Sequence, residues 1–90
     1  MIQLHLIVSG KVQGVGYRYF SQMKAVQYEV TGWVKNLSDN AVEITAIGTR
    51  DQLDPFIKDL RIGTPFSTID NIEIIEQETV EKCHSFTIKY

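Results

Sequence analysis

The chain has 90 residues, 43% of them hydrophobic and 22% charged, with a net charge of −2 and a pI near 5.6. That length suffices for one core and so one domain over residues 1–90, and no apolar run approaches the roughly 20 residues of a membrane span. The single cysteine, Cys83, excludes an internal disulfide or a multi-thiolate metal site, and the scattered cations of an acidic chain argue against nucleic acid, whose phosphates call for clustered lysine and arginine.

The N-terminal Met1-Ile2-Gln3-Leu4-His5 has no basic segment followed by an apolar leader, so the expected compartment is the cytoplasm. Ile2, Leu4, Leu6 and Val8 alternate with Gln3, His5 and Ile7, the period of a half-buried strand, in which His5 is a strand position rather than a ligand. Ser9-Gly10-Lys11-Val12-Gln13-Gly14-Val15-Gly16-Tyr17-Arg18 follows. Glycines let a backbone fold with its N–H groups pointing inward, and such a cluster at the start of a helix attracts an anion. Arg18 adds a planar fork of donors suited to phosphate or carboxylate. The same glycines also suit a plain strand-to-helix turn, and this segment alone does not separate the two readings. It is not a nucleotide P-loop, which would need lysine and then serine or threonine after its last glycine, nor a dinucleotide-binding turn.

A helix is predicted from about Tyr17 to Tyr28, with Tyr19, Met23, Val26 and Val30 at helical spacing and Phe20 and Ala25 widening the apolar surface; its aromatic residues read as core. Thr31–Asn36 and Ala41–Ile47 flank Leu37-Ser38-Asp39-Asn40 and read as a hairpin, since Asp and Asn tolerate the left-handed backbone of its turn. Thr49 and Gln52 form a capping-box signature ahead of Leu53, Phe56, Ile57 and Leu60, the stripe of a second helix. Pro55 allows an alternative in which Asp54 caps a shorter helix. Gly63-Thr64-Pro65 ends that helix, Ile69–Glu76 reads as a strand, and Phe86–Tyr90 as a closing strand. Cys83 and His84 read as adjacent strand residues with diverging side chains, not as a catalytic pair. The order of elements predicts the α+β class: a ferredoxin-like α/β sandwich, βαββαβ, with an antiparallel sheet and two helices on one face. That fold assigns no function by itself.

The second informative segment is Gly32-Trp33-Val34-Lys35-Asn36, with Val42 and Gly48 beyond it. Together with Gly10–Arg18 it resembles the two signatures of acylphosphatases, and the likeness extends over nearly the whole chain to the ending Phe86-Thr87-Ile88-Lys89-Tyr90. The resemblance implies an enzyme that hydrolyses acyl phosphates to a carboxylate and inorganic phosphate, with no metal and no cofactor. It implies that the backbone of Gln13, Gly14, Val15, Gly16, Tyr17 and Arg18 holds the phosphoryl group, and that Arg18 and Asn36 are the catalytic residues, Asn36 orienting the attacking water. The chemistry is consistent with this: a carboxylate is a good leaving group, so charge stabilisation and a positioned water are the main requirements. Lys11 and Lys35 are expected as rim charges that steer anions.

The alternative is a non-catalytic small-anion-binding or carbamoyl-phosphate-handling module. A monomer is expected, with a small-molecule partner and neither nucleic acid nor membrane. Glu29 and Asn40 stand where acylphosphatases usually have glycine, which predicts left-handed backbone at both, at a cost of about 1 kcal/mol for Glu29. Tyr17 replaces a commoner phenylalanine or methionine, and its hydroxyl needs a partner if buried.

Overall fold

The alternation of Ile2–Val8 continues into a longer strand, β1 (Ile2–Lys11), and the computed structural model, which describes residues 1–78 and 80–90, shows why. Pairing with β3 (Val42–Gly48) ends at Val8 opposite Val42, but pairing with β4 (Thr68–Gln77) runs on through Gly10–Ile69 and Lys11–Thr68 past a bulge at Ser9/Gly10. A Cβ on Gly10 would lie 2.1 Å from the Thr68 carbonyl oxygen, so this glycine permits the close approach of two strands and is not part of the loop beyond.

The remaining elements are α1 (Tyr17–Gln27), β2 (Thr31–Asn36), α2 (Arg50–Ile62) and β5 (Phe86–Ile88). The sheet order is β4-β1-β3-β2-β5, with two helices packed on it in the ferredoxin-like arrangement. β4, β1, β3 and β2 pair with one another antiparallel, as expected. β5 instead adds to β2 in parallel, Gly32 opposite Phe86 and Val34 opposite Ile88, which makes the sheet mixed. No described helix is long and apolar enough to cross a membrane.

Leu4, Leu6 and Val8 of β1, Val34 of β2 and Val42, Ile44 and Ala46 of β3 meet Leu53, Phe56 and Leu60 of α2 in one core. Helix α2 follows its sequence signals. Thr49 caps it, its hydroxyl accepting from the Gln52 N–H at 3.3 Å while Gln52 accepts from the Thr49 N–H at 2.8 Å. The Asp54-capped alternative is not adopted, and Pro55 sits inside the helix.

Helix α1 departs from its predicted face. Tyr19, Met23 and Val26 are 65%, 50% and 68% exposed, whereas Tyr17, Ser21 and Ala25 are buried. Only Phe20, Ala25 and Val30 of the predicted apolar set pack against the core. The small Ser21 and Ala25 let the helix lie close to the sheet, and the Ser21 hydroxyl satisfies itself on the Tyr17 carbonyl at 2.8 Å. The Tyr17 hydroxyl donates to the Leu60 carbonyl at 2.8 Å, pairing an oxygen in the last turn of α2. Tyr28 donates to Asp59 at 2.6 Å and Lys24 pairs with the same carboxylate at 3.3 Å, so the helices are tied at two points. Glu29 and Asn40 have φ of 58° and 70°, the left-handed backbone expected of them.

The face of the sheet away from the helices carries His5 and Lys35 around Glu43, at 2.6 and 3.6 Å. The chain between β4 and β5 reaches it at Glu81, whose N–H donates to Gln3 and whose carboxylate accepts from the Trp33 indole. Cys83 and His84 belong to this connection and not to a strand, contrary to expectation; the path from one sheet edge to the other takes them out of regular pairing. Cys83 lies 3.9 Å from the Glu81 carboxylate.

Candidate functional site

Strand register brings the two sequence motifs together. β1 and β2 are both antiparallel to β3, so they run parallel to each other and end at the same edge of the sheet. Val42 pairs with Val8 on one side and with Asn36 on the other, which sets Asn36 level with the end of β1, one strand away from the glycine loop. Alternation along β2 puts Val34 in the core and Asn36 on the same, helix-bearing side, while Trp33 and Lys35 face the other way.

Between them lies a half-open cavity of about 240 Å³. Gly14, Gly16, Tyr17 and Arg18 form one wall and Asn36 another. Gly14 and Gly16 have φ of 75° and 77°, and a Cβ on either would meet nothing within 4 Å. Glycine is favoured there by the left-handed backbone, which turns successive N–H groups toward one point, and not by a lack of space. The first intrahelical bond of α1 runs from the Phe20 N–H to the Gly16 carbonyl, leaving the N–H groups of Tyr17, Arg18 and Tyr19 without helical partners. Gly16 offers no side-chain cap, and the first turn holds no acidic residue. A concave cluster of free amides at a helix N-terminus, beside a guanidinium, is built to receive an anion.

The parallel pairing of β5 completes the cavity. Ile88 and Tyr90 border it, and the Lys89 N–H donates to the Val34 carbonyl at 2.8 Å. One Arg18 N–H donates to the Lys89 carbonyl at 3.3 Å, and the guanidinium carbon stands 4.8 Å from the centre of the Tyr90 ring. Arg18 is therefore laid along the terminal residues, with its other donors available. Among the described residues no hydrogen bond occupies the Asn36 carboxamide.

Two of the expected phosphate-loop residues turn their side chains elsewhere. Val15 packs against the core. The Gln13 carboxamide donates to both the Leu37 and the Ala41 carbonyls, each at 2.8 Å, and so pins the glycine loop to the hairpin that carries Asn36. Sequence spacing gives no sign of this tie, because its acceptors are main-chain atoms. Lys11 and Lys35 do not line the cavity either: Lys11 is exposed, and Lys35 is drawn to Glu43 on the opposite face. Burial pushes the Tyr17 phenol well above its ordinary value, so it stays a neutral donor.

Fold and cavity together define an α+β sandwich with an anion-receptive loop where two parallel strands end. A family model for acylphosphatase matches residues 4–88. The chain is 44% identical to the acylphosphatase of Bacillus subtilis strain 168 over all of its own length and 99% of that protein, and 41% identical over both full lengths to the acylphosphatase of Archaeoglobus fulgidus. The crystal structure of the Bacillus subtilis acylphosphatase superposes over both full chains with a TM-score of 0.97. A full-length HypF crystallised in a phosphate- and nucleotide-bound form matches at 30% identity and a TM-score of 0.86, over all of this chain and 12% of that one. The chain belongs to the acylphosphatase family.

Proposed function

We propose that the chain is an acylphosphatase working as one domain, which hydrolyses acyl phosphates to a carboxylate and inorganic phosphate without a metal. The observation that carries the residue assignment is the shared register of Asn36 and Val8 on Val42, which sets a free carboxamide across one cavity from the glycine-loop amides and Arg18. The amides of Gly14–Arg18 and the Arg18 guanidinium hold the phosphoryl oxygens and offset the charge that spreads over them in the transition state. Asn36 holds a water in line with the bond to the acyl oxygen. The water oxygen forms a bond to phosphorus while the phosphorus–acyl oxygen bond breaks, its electron pair leaving with the carboxylate. A carboxamide is too weak a base to take the water proton, which passes to an oxygen of the phosphoryl group itself. Gln13 holds the loop at its working distance from Asn36. The small substrate calls for neither membrane nor nucleic acid, and the enzyme is taken to act as a cytoplasmic monomer.

A second reading, an anion-binding module without turnover, is favoured by the likeness to part of the much longer HypF chains, at TM-scores of 0.86 and 0.88. Hydrolysis of benzoyl phosphate in EDTA separates the two. Wild type is expected to turn over, and Arg18→Ala and Asn36→Ala each to lose about 100-fold or more in kcat/KM, the scale of removing one preorganised transition-state contact. Arg18→Ala also weakens inhibition by inorganic phosphate, whereas Asn36→Ala keeps it. Phosphate binding with no wild-type turnover would overturn the hydrolase and leave the module.

A further inference from the structure

Asn36 is the last residue of β2, and its pairing with Val42 is the last of the β2–β3 ladder. Beyond it the chain turns through residues 37–41, with Asn40 at φ 70°, and Asn36, Ser38, Asp39 and Asn40 are all exposed. The carboxamide that has to hold a water still thus stands where a hairpin opens most easily. One backbone bond joins the two arms there, from the Leu37 N–H to the Ala41 carbonyl at 2.9 Å. Gln13 adds one bond to each arm: its carboxamide nitrogen, with two hydrogens to give, donates at 2.8 Å to the Leu37 carbonyl, one residue after Asn36, and at 2.8 Å to the Ala41 carbonyl, one residue before Val42. The glycine loop has anchors of its own. Val12 and Tyr17 on either side of it are each 1% exposed in the core, and Val15 packs against that core. If the Gln13 bonds are cut, the loop amides stay in place and the hairpin is the part that moves.

We propose that Gln13 is the positioning residue of Asn36: it clamps the hairpin against the anchored loop, so that its loss slows turnover and leaves phosphate binding intact. The inference rests on the acylphosphatase reading and deepens it, because it makes the placement of the attacking water depend on a side chain of the other motif. A carboxamide is what the position calls for. A glutamate would set a charged acceptor against two carbonyl oxygens, and an apolar side chain would take from the Leu37 carbonyl the partner that Gln13 supplies.

The test is a double-mutant cycle on benzoyl phosphate hydrolysis with wild type, Gln13→Met, Asn36→Ala and the double variant. Gln13→Met keeps the length of the side chain and removes its donors. Its kcat should fall about tenfold, within the range caused by displacing a positioned group by about 1 Å, while inhibition by inorganic phosphate stays within about twofold of wild type. In the Asn36→Ala background the same change should cost less than about twofold in kcat, since the group it positions is gone. A purely structural role for Gln13 would lower kcat by the same factor in both backgrounds, and that result would overturn the proposal, as would an unchanged kcat in Gln13→Met or weakened phosphate inhibition. The wild-type protein supplies a second readout that needs no variant to fold. Both side-chain N–H signals of Gln13 should exchange with water at least about tenfold more slowly than those of the exposed Gln27, and equal exchange would overturn the clamp. Absence of wild-type turnover, or full activity in Asn36→Ala, would instead overturn the underlying reading of the site.

Discussion

The two helices lie on the same face of the same sheet, yet their N-termini are finished in opposite ways. Helix α2 closes its own: Thr49 and Gln52 satisfy each other's backbone, and Asp51 adds a negative charge to the first turn. Helix α1 leaves its first amides open behind a left-handed Gly16, with no cap and no acid, and sets Arg18 in the first turn, where the helix dipole disfavours a cation. One end is built for stability and the other for a ligand. The positive end of α1 is left uncompensated so that substrate can compensate it.

This contrast can be broken from either side, and the largest effect is expected from making α1 resemble α2. Gly16→Asp places a carboxylate among the free amides. Asp tolerates the left-handed backbone and favours a helix N-terminus, so stability should change by no more than about 1 kcal/mol. Turnover of benzoyl phosphate and inhibition by phosphate should fall roughly 100-fold, the effect of one lost anion contact joined by charge repulsion. Wild-type activity in this variant would mean that the loop amides do not bind substrate.

The converse change removes the cap from α2. Thr49→Ala should cost about 1 kcal/mol in urea unfolding and leave kcat/KM untouched. The C-termini sharpen the comparison with a smaller effect, since α2 ends in Gly63 at φ 74° while the left-handed position after α1 is filled by Glu29 at φ 58°. Glu29→Gly should relieve that strain, and after the greater unfolded-state entropy of glycine a gain on the order of 0.5 kcal/mol remains.

The smallest effect concerns the tie between the helices. The Tyr28 hydroxyl, and then Lys24, hold the Asp59 carboxyl below its usual range. A depressed carboxylate stabilises the fold above its unfolded pKa, and that contribution is lost as pH falls from about 4 through the lower folded value. The midpoint of thermal unfolding should therefore fall less steeply below pH 4 in Tyr28→Phe than in wild type, with equal slopes at pH 6 to 8. An unchanged acid slope would show that the hydrogen bond does not set this titration.

Helix α2 was legible in its buried face because its signals are local, a capping box and then Leu53, Phe56 and Leu60 at helical spacing, all buried, although Pro55 left its start open between Thr49 and Asp54. Helix α1 was legible as a helix but not in its orientation. Its large apolar residues, Tyr19, Met23 and Val26, outweigh Ser21 and Ala25 in any reading of periodicity, although the small pair is what allows close approach to the sheet. Tyr19 is left out because it faces the cavity. The motif residues Gly14, Gly16, Arg18 and Asn36 were legible from their resemblance to a known pattern, and β-strand alternation explains why Asn36 and Val34 share a side. The support for the site was not. The Gln13 tie ends on main-chain carbonyls, and the contact of Arg18 with Lys89 and Tyr90 depends on β5 pairing in parallel with β2, a choice of edge that no local pattern encodes.

The direct test of the uncapped helix as the phosphoryl site is an amide-resolved NMR titration of the wild-type protein with inorganic phosphate. The N–H signals of Gly14–Arg18 should move together and saturate with one dissociation constant, while those of Arg50, Asp51 and Gln52 at the capped end stay fixed. Saturable shifts centred elsewhere, or equal movement at both helix starts, would contradict the assignment of the open end of α1 as the phosphate receptor.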